Sequence, residues 1–124
     1  MWKMEREGKG DVERKAKQIV EIMEAYHSAR HAFAGHKGQT NVTQANIRRL
    51  KAEIKARRGK ISEYEEENLK EQLKREEKRH ARHLRGMEEA MREMEECVRR
   101  IMELCGIDYN GRREREEKGG EENA

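Results

Sequence analysis

The sequence predicts an all-α protein: an elongated three-helix chain with a long C-terminal helix, forming a helical hairpin or coiled-coil bundle that homo-oligomerisation completes. Three observations predict it. Leu84, Met87, Met91, Met94, Val98, Ile101 and Cys105 step by three and four, as coiled-coil core positions do. Proline is absent while Glu, Lys, Arg, Met and Ala abound, so the strongest helix breaker is missing and good helix formers fill the chain. Leu, Ile, Val and Phe occupy only 17 of 124 positions, too few for a thick core. Such a low share would point to disorder in a chain of large net charge, but 29 basic residues nearly balance 26 acidic ones. The apolar seam is therefore expected to find a partner helix, and a homodimer is the favoured assembly.

Each element has a local reason. Residues 1–10 are charged and contain glycine, which predicts a frayed N-terminus. Asp11 offers a cap for a first helix over 11–34, with Val12, Ala16, Ile19, Met23, Tyr26 and Phe33 in a three-four rhythm and Val20, Ile22 and Ala29 widening the stripe. Gly35 suits a left-handed C-terminal cap, and 35–41 reads as a loop. A second helix over 43–58 carries Ile47, Leu50 and Ile54 on one face and ends in Arg57 and Arg58 before Gly59, where cations suit the negative end of the helix dipole. Ser62 and Glu65 form a capping box, and Glu63, Glu65, Glu66 and Glu67 crowd the first turn of a third helix over 62–105. That helix would be about 66 Å long at 1.5 Å per residue. Gly106 closes it, with Ile107 placed to pack back on Met102. Residues 11–106 then form a single helical domain, followed by a charged, disordered tail over 107–124.

Several function classes find no support. No run approaches the roughly 18 apolar residues of a membrane span, and residues 1–15 lack the apolar stretch of a secretory signal. A soluble, cytoplasmic setting follows, or the nucleus or host cytosol if the source is eukaryotic or viral. Cys97 and Cys105 lie eight apart on one helix, about 12 Å along its axis, and read as reduced apolar fillers. Cys105, on the seam, leaves an interchain bridge conceivable. The sequon Asn41-Val42-Thr43 reads as loop and cap, since glycosylation needs a secretory route. No phosphate-cradling glycine loop, Cys-x-x-Cys pair or nucleophile elbow occurs, so neither an enzyme, a cofactor nor a small-molecule substrate is expected. His27 and His31 are one turn apart, and Glu24 with His27 and Glu77 with His80 match the Glu-x-x-His spacing of di-iron bundles. With 24 glutamates such matches arise by chance, and Lys78, Arg79 and Arg82 around His80 would repel a cation. No metal site is therefore expected.

Charge falls in blocks. Residues 43–60 hold seven basic side chains and one acidic, 61–77 hold seven acidic and three basic, and 78–85 hold four basic and none acidic. Attraction between neighbouring helices of opposite sign is one account. The other is a binding surface. Arg48, Lys51, Lys55 and Arg58 recur every three or four residues as one stripe, and Lys78, Arg79, Arg82 and Arg85 make a second. Arginine's planar fork suits phosphate. Tyr64 is the single aromatic between residues 34 and 108, so base stacking is disfavoured and duplex backbone contact is the form of nucleic-acid binding left. The leading expectation is a non-enzymatic adaptor, regulator or inhibitor that binds a protein partner through the seam and the charged faces. The alternative is a duplex RNA or DNA binder using the two basic stripes.

Overall fold

A computed structural model of the chain describes residues 2–107, with side chains from residue 10 onward. It contains two helices, α1 (Trp2–Arg57) and α2 (Glu63–Leu104), and no strand among the described residues. The all-helical class stands, but the helix count is two, not three. The loop expected over 35–41 is helix, and α1 starts at Trp2 instead of Asp11. Gly35 and Gly38 take ordinary helical φ, since Gly59 and Gly106 are the described glycines with positive φ. Each mid-helix glycine costs about 1 kcal/mol relative to alanine, and burial of the next turn offsets that cost. Thr40 and Thr43 are 7% and 2% exposed. Their hydroxyls donate back to the Lys37 carbonyl (2.7 Å) and the Gln39 carbonyl (3.0 Å), so both enter the interior without an orphaned donor.

The helix ends follow their local chemistry. Gly59 has φ 79°, a conformation that costs other L-residues, and the Lys60 N–H bonds the Arg57 carbonyl at 2.9 Å. Ser62 Oγ accepts the Glu65 N–H at 3.2 Å, which is the serine half of the expected capping box, and Glu63, Glu65 and Glu66 lie in the first turn of α2. At the far end Gly106 has φ 77°; its N–H bonds the Glu103 carbonyl (3.0 Å), while Ile107 bonds that of Met102 (2.7 Å). These are the paired hydrogen bonds of a Schellman motif. The tail expected to be disordered lies, from residue 108 on, outside the described residues.

The chain packs as two compact units. Residues 30–91 form a helical hairpin about the turn at 58–62. A continuous inward row runs along α1 through Phe33, His36, Thr40, Thr43, Ile47, Leu50 and Ile54, and along α2 through Leu69, Leu73, Glu76, His80, His83, Met87 and Ala90. Both sets step by three and four without a break. The other unit joins the residues up to 29 with those from 92. In it Ile22, Ala29 and Cys97 are buried, with Ile19, Tyr26, Met94, Ile101 and Leu104 half-buried. The first-helix stripe is thus shifted: Val12, Val20 and Met23 are 65%, 54% and 47% exposed, and Ile22 and Ala29 carry the contact.

The expected seam of α2 divides in the same way. Met87, Met94 and Ile101 are half-buried, whereas Leu84, Met91 and Val98 are 43%, 54% and 39% exposed and Cys105 is exposed. Small Ala90 and Cys97 take the inward places between the larger residues. Leu84, Met91, Val98 and Cys105, seven apart, lie at the margin of that inward face.

Glycine substitutions test the continuous helix. Gly35→Ala and Gly38→Ala, whose added Cβ meets nothing within 4 Å, should each stabilise the fold by about 0.5–1 kcal/mol. Gly59→Ala should destabilise it by about 1 kcal/mol. Urea denaturation followed by circular dichroism reads all three, and destabilisation by the first two would restore the loop.

Candidate functional site

The middle of the hairpin seam is polar. His36 Nδ1 and His83 Nδ1 meet across the helices at 3.0 Å, Thr43 Oγ1 and His80 Nδ1 at 2.8 Å, and Asn46 Nδ2 donates to Glu76 Oε2 at 3.4 Å. Thr43 Oγ1 also lies 3.0 and 3.1 Å from the Gln39 and Thr40 carbonyl oxygens. A hydroxyl has one hydrogen and two lone pairs, so donation to a carbonyl leaves the oxygen to accept from a His80 Nδ1–H. Among the described residues no buried side-chain nitrogen or oxygen lacks a partner. The histidine pair has a prepared seat: a Cβ added at Gly86 would lie 2.5–2.7 Å from three atoms of the His36 ring. Only the bare backbone of α2 leaves that space.

These contacts engage three of the five histidines. His80 spends its Nδ1 on Thr43, while His27 and His31 are exposed. Among the described residues no group of three or more His, Cys, Asp or Glu is placed to hold a metal ion. No described helix is long and apolar enough to cross a membrane.

The basic residues of the first expected stripe sit toward the turn. Lys51, Lys55 and Arg58 line one hollow of about 310 Å³, floored by Ile54 of α1 and Leu73 of α2. Three of the four cations of the first expected stripe are thus brought to one place. Arg48 is exposed and lies outside that lining. The second stripe scatters: Arg79 lines another hollow, of about 260 Å³, while Lys78, Arg82 and Arg85 are exposed and line neither. That second hollow gathers Arg49 and Leu50 of α1 with Gln72, Arg75, Glu76 and Arg79 of α2. Arg49 and Arg75 belong to neither expected stripe. The spacing of Gln72, Arg75 and Arg79, at i, i+3 and i+7, was the available signal, but it carries meaning only once the side of α2 facing α1 is known.

Ion pairing leaves these cations available. Every salt bridge among the described residues joins residues three or four apart on one helix: Glu53 with Arg57, Lys70 with Glu66 and Glu67, Arg79 with Glu76, and Arg99 with Glu96 and Glu103. None crosses between α1 and α2, so the expected attraction between oppositely charged helices is not realised as contacts. Arg48, Arg49, Lys51, Lys55, Arg58, Arg75, Lys78, Arg82 and Arg85 have no ion-pair partner among the described residues. Arg99, in contrast, is fully occupied. Its hydrogen bonds hold the exposed Glu96 carboxyl below the usual carboxylate range, and Glu96 and Glu103 in turn raise the guanidinium.

Net charge is partitioned between the units. Residues 30–91 carry 16 Lys and Arg against 10 Asp and Glu, a net charge of +6, whereas the remainder of the chain carries 13 against 16, a net charge of −3. Likeness adds nothing to this geometry, since no family model, curated protein or solved structure matches the chain.

The seat of His36 is directly testable. Gly86→Ala should cost about 1–3 kcal/mol through the forced shift of the ring, although alanine is the better helix former. Combined with His36→Ala the cost should largely vanish, a coupling that a double-mutant cycle in urea measures. Equal costs with and without the imidazole would remove the contact.

Proposed function

We propose that this protein is a non-enzymatic helical binding module whose hairpin unit engages the phosphate backbone of duplex nucleic acid. The observation that carries the reading is the concentration of net positive charge in residues 30–91, on side chains that pair with no acid of the opposite helix. A +6 unit with Lys51, Lys55 and Arg58 around one hollow offers several charges to phosphates at once, and counterion release from the duplex supplies the driving force. Arg48, Lys78, Arg79, Arg82 and Arg85 extend the same field. The hairpin unit is an antiparallel coiled coil in this reading, serving as a scaffold with no catalytic part. Cytoplasm or nucleus would offer such a ligand.

A second reading rests on its own observation. Leu84, Met91 and Val98 recur every seven residues along α2 and stay substantially exposed, with Cys105 following at the same interval. In that reading the stripe is the contact with a protein partner, in the first place a second copy of this chain in a dimer.

Fluorescence anisotropy with a 20-base-pair duplex separates the two. Binding should fall steeply between about 50 and 200 mM salt. Lys51→Glu, Lys55→Glu and Arg58→Glu together should weaken it at least tenfold at unchanged helix content. Tyr64→Ala, which removes a ring that is 82% exposed, should leave it unchanged, because backbone contact uses no stacking. No binding at 50 mM salt would sink the proposal. For the second reading, Met91→Glu and Val98→Glu should turn a dimer into a monomer in sedimentation, and a monomeric unaltered protein would end it.

A further inference from the structure

Glu76 is the one carboxylate of the arginine-lined hollow, and its side chain is only 15% exposed. Both its oxygens are engaged. Oε1 accepts from Arg79 Nη1 at 3.1 Å, and Oε2 accepts from Asn46 Nδ2 of the opposite helix at 3.4 Å. The carboxylate therefore braces α2 against α1, fixes the Arg79 guanidinium beside the hollow and is itself neutralised by it. Arg49 from α1 and Arg75 from α2 line the same space without an acid to pair with. Gln72 adds an amide that can donate, and Leu50, 3% exposed, forms an apolar floor. The hollow is thus left with two uncompensated guanidiniums, one from each helix. A volume of about 260 Å³ is ample for a tetrahedral oxyanion that keeps part of its hydration.

We infer that the hollow between Arg49, Arg75 and Arg79 is a phosphate site, in which one phosphoryl group accepts hydrogen bonds from guanidiniums of both helices. Guanidinium geometry favours this chemistry: each planar fork presents two parallel N–H donors that match a pair of phosphoryl oxygens. A backbone phosphoryl group carries two non-bridging oxygens, each with more than one lone pair, so it can accept from a guanidinium of each helix and tie α1 to α2 beside the Asn46–Glu76 hydrogen bond. The inference rests on the duplex-binding reading and deepens it, because it assigns arginines outside the expected stripes to the phosphate contact. The same chemistry also admits free phosphate, and the test distinguishes the two sources.

The experiment compares the unaltered protein with an Arg49→Gln/Arg75→Gln variant and, separately, a Glu76→Gln variant, each checked for helix content by circular dichroism. The probes are a 20-base-pair RNA duplex and sodium pyrophosphate, with sodium chloride at matched ionic strength as the control. The double variant should bind the duplex at least tenfold more weakly, and Glu76→Gln, which removes the only negative charge in the hollow, should bind it more tightly. A rise in melting temperature with pyrophosphate beyond the chloride control, lost in the double variant, supports the site with free phosphate as a source. Duplex binding that depends on Arg49 and Arg75 without a pyrophosphate response supports it with the polymer backbone as the source. If the double variant binds duplex normally while the Lys51, Lys55 and Arg58 charge reversal abolishes binding, the inference falls and the proposed function stands. If the unaltered protein binds neither probe, both fall.

Discussion

Two helices so poor in aliphatic residues can pair only if the polar groups caught between them are satisfied across the seam. In the hairpin unit the inward positions include His36, Thr40, Thr43, Glu76, His80 and His83, none of which contributes much apolar area. Leaving one such group unpaired in a dry contact costs about 1–3 kcal/mol, a large share of the stability a small domain has. Thr43 shows how the cost is avoided. Its hydroxyl serves the carbonyls of its own preceding turn and the ring of His80 together. The histidine pair depends in turn on Gly86, because a side chain there would occupy the space of the His36 ring. A glycine that looks like a weakness of α2 is therefore a condition of its contact with α1.

The same economy shapes the surface. A seam that uses polar side chains needs no ion pairs between the helices, and none is present among the described residues; the charged residues are left on the flanks. Glu53, Glu66, Glu67, Glu76, Glu96 and Glu103 pair with a base on their own helix, where such pairs are worth about 0.2–0.5 kcal/mol. The surplus of bases in the hairpin unit, a net charge of +6, has no such outlet. Its field, unlike the pairs, acts over a distance set by salt, about 8–10 Å at physiological ionic strength. Under the proposed reading, recognition through that field needs a charged, extended partner and no pocket of defined shape.

Legibility varied with the range of the interaction involved. The boundary at residues 59–62 could be read directly, because a glycine with φ 79° and a serine accepting the Glu65 N–H are local events. The closing of α2 by Gly106 and Ile107 is local too. The segment 35–41 misled, since two glycines and a threonine favour a loop by propensity, whereas burial of Thr40 and Thr43 against α2 is a long-range gain. The methionine seam was half legible: its period was plain, but Leu84 and Met91 are as apolar as Met87 and Met94, and only pairing with α1 tells inward from outward. Of the basic stripes, Lys51, Lys55 and Arg58 converge on one hollow, while Arg49 and Arg75 come together only through the helix opposite.

By itself the amino-acid order determined that the chain is helical, where its central turn falls and how its long helix ends. Each of those outcomes is settled within a few residues by backbone preference and capping. Tertiary structure decided that α1 runs unbroken, which edge of each helix faces inward and which arginines share a hollow. Those outcomes depend on contacts between residues about 30 to 50 positions apart, such as His36 with His83 and Asn46 with Glu76, and the free energy of burying one surface against another is a property of the pair, absent from either segment alone.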